Sequence, residues 1–191
     1  MTMLVSWIGV DTHGPTSAYI AADSRISWDA SNAFDFAKKV FAAKKYPEIF
    51  GYAGDVLFPF PNKSGLLCVL GSGANEFNKR YLLYQKGTNS NTSRNVFQCF
   101  TDTLANIADI RCGGAPQLVG LIRKPLTYGI NFGIISEGKR YFLGMEIPNK
   151  SCFINVEWRN KFFEVCDGST KKIKEGAAHQ PNPMLKKSAT P

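Results

Sequence analysis

Residues 3–10 read MLVSWIGV and residues 17–22 read SAYIAA, two short apolar runs near the start of the chain. Between them lies DTHGP, residues 11–15, a cluster of residue types that favour turns. Two such runs joined by a short turn predict an antiparallel pair of strands. Because both runs are almost continuously apolar, we expect the sheet that they begin to be covered on both faces.

The rest of the chain alternates between strand and helix patterns. Strands are predicted at residues 38–43, 49–55, 117–122, 129–135 and 140–146, helices at 74–85 and after a cap at Thr92 or Ser93, and a short amphipathic helix at 156–166. Sheet segments therefore flank a helical layer. We expect one domain over residues 1–170 and a basic, mostly irregular tail over 171–191.

The composition is that of a globular protein, with 44% hydrophobic and 20% charged residues among 191. The formal net charge is +8, and five of the lysines lie in the last stretch: Lys171, Lys172, Lys174, Lys186 and Lys187. Much of the excess charge therefore belongs to a solvated tail, and no motif of aromatic and basic residues accompanies it. A nucleic-acid partner is not expected, and a basic binding module that uses the tail remains a third-ranked alternative.

The chain shows neither a signal-peptide pattern nor an apolar run long enough to span a bilayer, so we expect a cytoplasmic protein without a membrane partner. Its five cysteines are scattered and no C-x-x-C pair occurs. Reduced core thiols are the expected state, and neither a metal site nor a cofactor is predicted.

Thr2 follows Met1, and methionine aminopeptidases remove Met when the next side chain is small. Removal would leave Thr2 with a free α-amine, whose ordinary pKa of ~7.7–8.0 lets it act as a base for the hydroxyl of the same residue. Taken alone, a Met-Thr start has no chemical meaning in most proteins. Other residues, in a fixed order, decide its interpretation.

Three segments follow Thr2 in order: AADSRIS at 21–27, KKVF at 38–41 and FGYAGD at 50–55. Together they resemble the first third of proteasome β subunits and of related bacterial threonine-protease rings, and the resemblance covers roughly residues 2–148. It implies an α+β fold, the αββα sandwich of antiparallel sheets of N-terminal-nucleophile hydrolases, here C-terminally shortened. It also implies a homo-oligomer or ring.

The resemblance assigns roles residue by residue. Thr2 would be the nucleophile, Lys39 the lysine beside it, and Asp23 the acid that orients that lysine. Arg25 would support the site. Gly51 would stabilise the oxyanion, Ser27 and Gly51 would pair with the substrate backbone, and an apolar specificity pocket would be formed by Ile26, Ile49 and Ala53.

The implied function is a threonine peptidase or amidohydrolase that works through an acyl-enzyme and acts on a peptide or amide. The alternative is a non-catalytic structural subunit of a proteasome-like assembly. For the serine that contacts the threonine amine in the family, Ser151 and Ser169 are both open, and no residue is assigned to the downstream aspartate. Structural explanations also exist: Asp23 with Arg25 as a salt bridge, Lys39 as an exposed strand lysine, and Gly51 with Gly54 as a bulge.

Overall fold

The structure, a computed structural model, describes residues 2–11, 14–29, 32–53, 56–57, 65–87, 89–123, 128–151, 153 and 155–177. Its elements in chain order are β1 (Leu4–Asp11), β2 (Gly14–Ala22), β3 (Ile26–Ser27), β4 (Ala33–Phe34), β5 (Val40–Ala42), β6 (Ile49–Ala53), β7 (Val56–Leu57), β8 (Gly65–Leu70), α1 (Ala74–Tyr84), α2 (Ser93–Asn106), β9 (Gln117–Ile122), β10 (Tyr128–Ser136), β11 (Lys139–Phe142), β12 (Met145–Ile147), β13 (Trp158–Asn160) and β14 (Val165–Cys166).

A large sheet forms the centre, with the strand order β12-β11-β10-β9-β2-β1-β8. Neighbours along this path are antiparallel, while β13 joins β10 in parallel and β14 pairs with β13. The predicted hairpin is confirmed, since β1 and β2 pair from Leu4 opposite Ala22 to Asp11 opposite Gly14. Of the later strands, those predicted at 117–122 and 129–135 are confirmed within one residue at their ends. The single strand predicted at 140–146 is wrong, because a turn at Leu143 and Gly144, both with positive φ, divides it into the antiparallel strands β11 and β12.

The two faces of the large sheet are covered differently, as alternation of side chains along a strand requires. Val5 and Trp7 of β1, and Met3 just before it, face a cluster that includes Phe97 and Phe100 of the helical layer. On the other face, a second cluster contains Leu4, Ile20 and Val119 together with Val40 and Ile49 of the small sheet β5-β6-β7. Both faces are therefore covered, as the continuous apolarity of the first two strands predicted.

Helix α2 begins where the sequence predicts. The Thr92 side chain accepts a hydrogen bond from the Asn95 backbone N–H at 3.1 Å, which satisfies one of the unpaired donors of the first turn. Val96, Phe97 and Phe100 are buried against the sheet. Burial of one such phenylalanine stabilises the fold by about 1.5–3 kcal/mol. Packing of this apolar face holds the helical layer on the sheet.

The predicted αββα sandwich is wrong. The protein is mostly antiparallel β-sheet, with 40% strand and 16% helix. In the described part of the chain, α1 and α2 are the two helices, and both belong to one layer. The opposite layer is the small sheet, so no second helical layer completes the sandwich among these residues.

Residues 156–166 explain part of this error, because they form β13 and β14 instead of a helix. Their apolar positions have helical spacing, but Trp158 pairs with Gly133 of β10 and is buried there. The chain then reverses at Phe163, whose φ of 63° lies in the left-handed region. The apolar run of β8, at residues 65–70, was not predicted as a strand.

The tail is described only to residue 177. Residues 171–177 are irregular apart from an isolated bridge between Ile173 and Cys166. The remainder of the predicted tail lies outside the described residues, and the proposed division at residue 170 stays a prediction. No helix among the described residues has the length and apolarity needed to cross a membrane.

Candidate active site

The β1–β2 hairpin brings Thr2 and Asp23 to the same edge of the large sheet. Leu4 pairs with Ala22, and the Asp23 backbone N–H donates to the carbonyl of Met3 at 3.2 Å. Thr2, two positions before β1, and Asp23, directly after β2, therefore meet, although 20 residues of chain lie between them. An antiparallel hairpin that begins with a buried strand produces this juxtaposition without any further device.

Lys39 completes a cluster of three buried polar side chains at this edge. The Thr2 hydroxyl donates to Asp23 Oδ1 at 2.7 Å, and Lys39 Nζ donates to the same oxygen at 2.8 Å. Lys39 Nζ also contacts Thr2 Oγ1 and the carbonyl of Arg25. Thr2 is 3% exposed, Asp23 0% and Lys39 4%. The structure thus brings together the three residues that were predicted to be catalytic.

Backbone groups hold the Asp23 carboxylate in place. Met3 N–H donates to Oδ1 and Gly113 N–H donates to Oδ2, each at 3.0 Å. A buried ion pair is tolerated when hydrogen bonds satisfy its remaining oxygens and protons, and both carboxylate oxygens are satisfied here. The salt bridge between Asp23 and Arg25, one of the structural explanations, is not the pairing found: Asp23 pairs with Lys39.

Two neighbouring lysines precede β5 and point in opposite directions, because successive side chains of an extended chain alternate. Lys39 is buried in the cluster, whereas Lys38 is exposed and lies with Nζ 5.6 Å from the centre of the Phe41 ring. The interpretation of Lys39 as an exposed strand lysine is therefore excluded.

Arg25 pairs with Asp35 through two parallel hydrogen bonds, at 2.6 Å from Nε and 2.8 Å from a terminal nitrogen. These bonds hold the pKa of the Asp35 carboxyl below its ordinary value, against the opposing effect of partial burial. The Arg25 guanidinium also donates to the carbonyl of Ile110 at 3.0 Å. Because the Arg25 carbonyl contacts Lys39 Nζ, this residue supports the cluster through its backbone.

Gly51 lies in β6, where it packs against β1 and β2 of the large sheet. A Cβ at this position would be 2.6 Å from Leu4 Cδ1 and 2.9 Å from Ile20 Cγ2, so any larger residue here would force these two side chains of the large sheet to shift. Tyr52 N–H donates to the carbonyl of Lys39, and Gly51 faces Val40 in the ladder. Successive backbone N–H groups of a strand point alternately to its two sides. Because the Tyr52 N–H points toward β5, the Gly51 N–H points away from β5.

The four other predicted substrate residues are not gathered into one pocket. Ile49 is buried in the cluster between the sheets, and Ala53 packs against that cluster. Ile26 and Ser27 belong to the two-stranded sheet with β4, where Ile26 is exposed and pairs with Phe34. Gly54, the second half of the predicted bulge, lies outside the described residues.

Residues that the sequence did not suggest also surround Thr2. Gly71 has a φ of +86°, and a Cβ on it would be 1.7 Å from Thr2 O, so the chain passes directly over the backbone of Thr2. Next to it, Ser72 Oγ lies 3.3 Å from Cys112 Sγ, and burial raises the pKa of the Cys112 thiol.

The two serines left open by the sequence lie elsewhere. Ser151 is in the loop after β12, where its carbonyl accepts from Arg140 at 2.9 Å. Ser169 is exposed and its backbone N–H donates to Asp167. Neither is hydrogen-bonded to Thr2 in the described part of the chain.

The described residues also contain cysteine and carboxylate side chains that could in principle ligate a metal. No group of three or more His, Cys, Asp and Glu side chains is placed to hold an ion there. Cys68, Cys99, Cys112 and Cys166 are free thiols, while Cys152 lies outside the described residues.

Comparisons with known proteins give little further information. No protein-family model matches the chain, and no curated protein does. One solved structure with weak similarity is a mutant of Anbu from Hyphomicrobium sp. strain MC1, a bacterial proteasome-like protease. The match has a TM-score of 0.23 and 12% identity, and it covers 78% of this chain and 56% of that one. The chain thus spans little more than half of that structure. Similarity at this level establishes neither the fold nor the function of the present chain.

Proposed function

We propose that the protein is a threonine amidohydrolase or peptidase whose nucleophile is Thr2 after cleavage of the Met1–Thr2 bond. The observation that carries this proposal is the contact of a buried lysine ammonium with the Thr2 hydroxyl, beside a carboxylate that balances its charge. A hydroxyl, a cation and an anion that share one buried site are costly to assemble. Enzymes that use a hydroxyl nucleophile activate it with groups placed beside it in this way.

The first chemical step would be attack by Thr2 on the carbonyl carbon of an amide. The free α-amine of Thr2 takes the hydroxyl proton while Oγ1 forms a bond to the carbonyl carbon, and the carbonyl oxygen becomes an oxyanion. When this intermediate collapses, the carbon–nitrogen bond breaks and the departing amine takes the proton from the α-ammonium. The product is an ester between Oγ1 and the acyl part of the substrate.

Water then completes the reaction. The α-amine accepts a proton from a water molecule while the oxygen of that water attacks the ester carbon. Collapse of the second intermediate releases a carboxylic acid, and Oγ1 recovers its proton from the α-ammonium. The sum is one amide and one water converted to one acid and one amine.

Lys39 and Asp23 act on this sequence electrostatically. As Oγ1 loses its proton it develops negative charge, which the contacting Lys39 ammonium stabilises. The stabilisation is larger in a buried site than in water because the effective dielectric constant is lower. Asp23, at 2.8 Å from Lys39 Nζ, supplies the counter-charge that keeps this ammonium in place.

The resemblance to proteasome subunits supplies the other roles. In the proposal the Gly51 N–H, which turns away from β5, stabilises the oxyanion, and Ser27 pairs with the substrate backbone. An apolar substrate side chain would contact Ile26, which is exposed one residue after Arg25. Assembly into a ring of identical subunits belongs to the same proposal.

A non-catalytic structural subunit is the second candidate, and one observation favours it. Thr2 is only 3% exposed, so a substrate cannot reach its hydroxyl in the chain as it stands. Catalysis therefore requires that cleavage of the Met1–Thr2 bond opens the site. If the cluster is purely structural, no such opening is needed.

The test is hydrolysis of amino-terminally blocked peptide amides with an apolar residue before the cleaved bond. The chain that begins at Thr2, released from a fusion cleaved before that residue, should hydrolyse them. A chain with an acetylated Thr2 amine should be inactive. Thr2→Ala should lower kcat/KM by about 10³-fold or more while the melting temperature changes little. Equal activity of the Thr2→Ala variant would refute Thr2 as the nucleophile.

A further inference from the structure

Gln117, the first residue of β9, is buried next to the cluster with 1% of its surface exposed. Its Nε2 donates to the carbonyl of Asp23 at 3.0 Å and to the carbonyl of Ala37 at 2.8 Å. Its Oε1 accepts from the backbone N–H of Lys39 at 3.1 Å. Both amide protons and the oxygen therefore have partners.

These partners are backbone groups of the segments that carry the proposed catalytic residues. Asp23 follows the last residue of β2, and Lys39 precedes the first residue of β5. Each residue lies just beyond the end of its strand. The Gln117 side chain links the two segments to each other and to the large sheet.

We propose that Gln117 is a positioning residue that fixes Lys39 Nζ against Thr2 Oγ1. The catalytic part of this inference rests on the proposed function. The chemical requirement at this position is specific. One planar group must donate two hydrogen bonds and accept one, as the side-chain amide of glutamine does. A carboxylate of the same shape only accepts, and a methionine of similar length does neither.

Asn131 of β10 provides a matched control. Its Oδ1 accepts from the backbone N–H of Ala42 at 3.0 Å, so it also links β5 to the large sheet through a side-chain amide. Ala42 is three residues further along than Lys39. Loss of the Asn131 link should loosen the same strand while leaving the segment that carries Lys39 attached.

The experiment compares Gln117→Glu, Gln117→Met and Asn131→Leu in the chain that begins at Thr2. The first readout is the nitrogen-15 NMR signal of the Lys39 side-chain ammonium, assigned with Lys39→Met. The second is kcat and KM for the peptide amides, with thermal unfolding as a check on folding. Gln117→Glu keeps the size of the side chain and carries the test if Gln117→Met does not fold.

Both Gln117 variants should shift or broaden the Lys39 signal and lower kcat by about 10- to 100-fold with KM nearly unchanged, since displacements near 1 Å cost up to 10²-fold. Asn131→Leu should leave both readouts close to wild type. An unchanged Lys39 signal in the Gln117 variants, or an equal change in Asn131→Leu, overturns the positioning role. A changed signal with unaltered kcat overturns its relevance to catalysis. A changed signal in a protein whose wild type is inactive supports positioning and rejects the proposed function instead.

Discussion

Two lysine–carboxylate pairs of this protein have nearly the same geometry and opposite surroundings. Lys39 Nζ lies 2.8 Å from Asp23, with side chains 4% and 0% exposed, and Lys139 Nζ lies 3.0 Å from Glu146, with side chains 56% and 47% exposed. The first pair is at the edge of the sheet beside Thr2. The second bridges β11 and the neighbouring β12 at the surface.

The comparison teaches that distance alone does not give the significance of an ion pair. Water screens the surface pair and solvates either partner after the other is removed, so its net contribution is small. In the buried pair each charge depends on its neighbours, since removal of one partner leaves the other uncompensated. In this pair a hydroxyl also lies in contact with the ammonium, so the charge of Lys39 acts on Thr2 as well as on Asp23.

The largest expected effect follows from removal of the buried ammonium. Lys39→Met should destabilise the protein by about 3 kcal/mol, because Asp23 is left as a buried, unpaired charge. It should also lower kcat/KM by about 10²- to 10³-fold through loss of charge stabilisation at Oγ1. Urea unfolding and peptide-amide hydrolysis measure the two effects.

Lys139→Met is the matched control for this substitution. It removes an ammonium from a pair of similar length and should leave both stability and activity unchanged within error. Equal losses in the two variants would contradict the distinction between the buried and the surface pair.

Arg25 and Asp35 form an ion pair of intermediate burial, with side chains 26% and 37% exposed. We expect its loss to reduce stability less than the loss of the buried pair. Hydrogen bonds from Arg25 hold the pKa of Asp35 below its ordinary value in the folded protein. A depressed folded-state pKa adds stability above the unfolded-state pKa, and this stability is lost as the pH falls through the folded-state pKa.

Asp35→Asn should therefore reduce stability near pH 7 and flatten its decline in acid. Urea unfolding from pH 7 to about pH 2 measures both, since carboxyl groups titrate in the lower part of this range. A variant that loses stability in acid as steeply as the wild type would show that the Arg25 pair contributes nothing to the pH dependence.

The sequence predicts local structure best where one pattern has one interpretation. Residues 3–10 and 17–22 are apolar, β-favouring and separated by turn residues, and they form the hairpin. Thr92 has the side chain that caps a helix, and α2 begins at Ser93. In both cases the local preference and the packing agree.

Predictions fail where the local pattern is ambiguous. The apolar residues at 158, 162, 163 and 165 have helical spacing, but parallel pairing of Trp158 with β10 and the left-handed turn at Phe163 make strands of this segment. Periodicity cannot anticipate a pairing partner 25 residues earlier in the chain. The αββα prediction came from resemblance and depended on helices that the described residues do not contain.

The residues at the candidate site also differ in whether the sequence predicts them. Thr2, Asp23 and Lys39 could be proposed because their order along the chain matches a known pattern, and the structure brings them into contact. Gln117 carries no such signal, since a glutamine at the start of a strand is ordinary until the carbonyls of Asp23 and Ala37 are seen to face it. The close approach of Gly71 to Thr2 likewise depends on the pairing of β8 with β1.

The proposed hydrolase activity depends above all on the reactivity of the Thr2 hydroxyl. The most direct measurement is to treat the chain that begins at Thr2 with a β-lactone and to locate the adduct by peptide mass spectrometry. The lactone carbonyl should be opened by Oγ1, which adds the full mass of the reagent to Thr2 as an ester. We expect one adduct, on Thr2, that is absent from the Lys39→Met variant and from the acetylated chain. An unmodified Thr2 in the folded protein, or labelling that is the same with and without Lys39, would contradict the proposal.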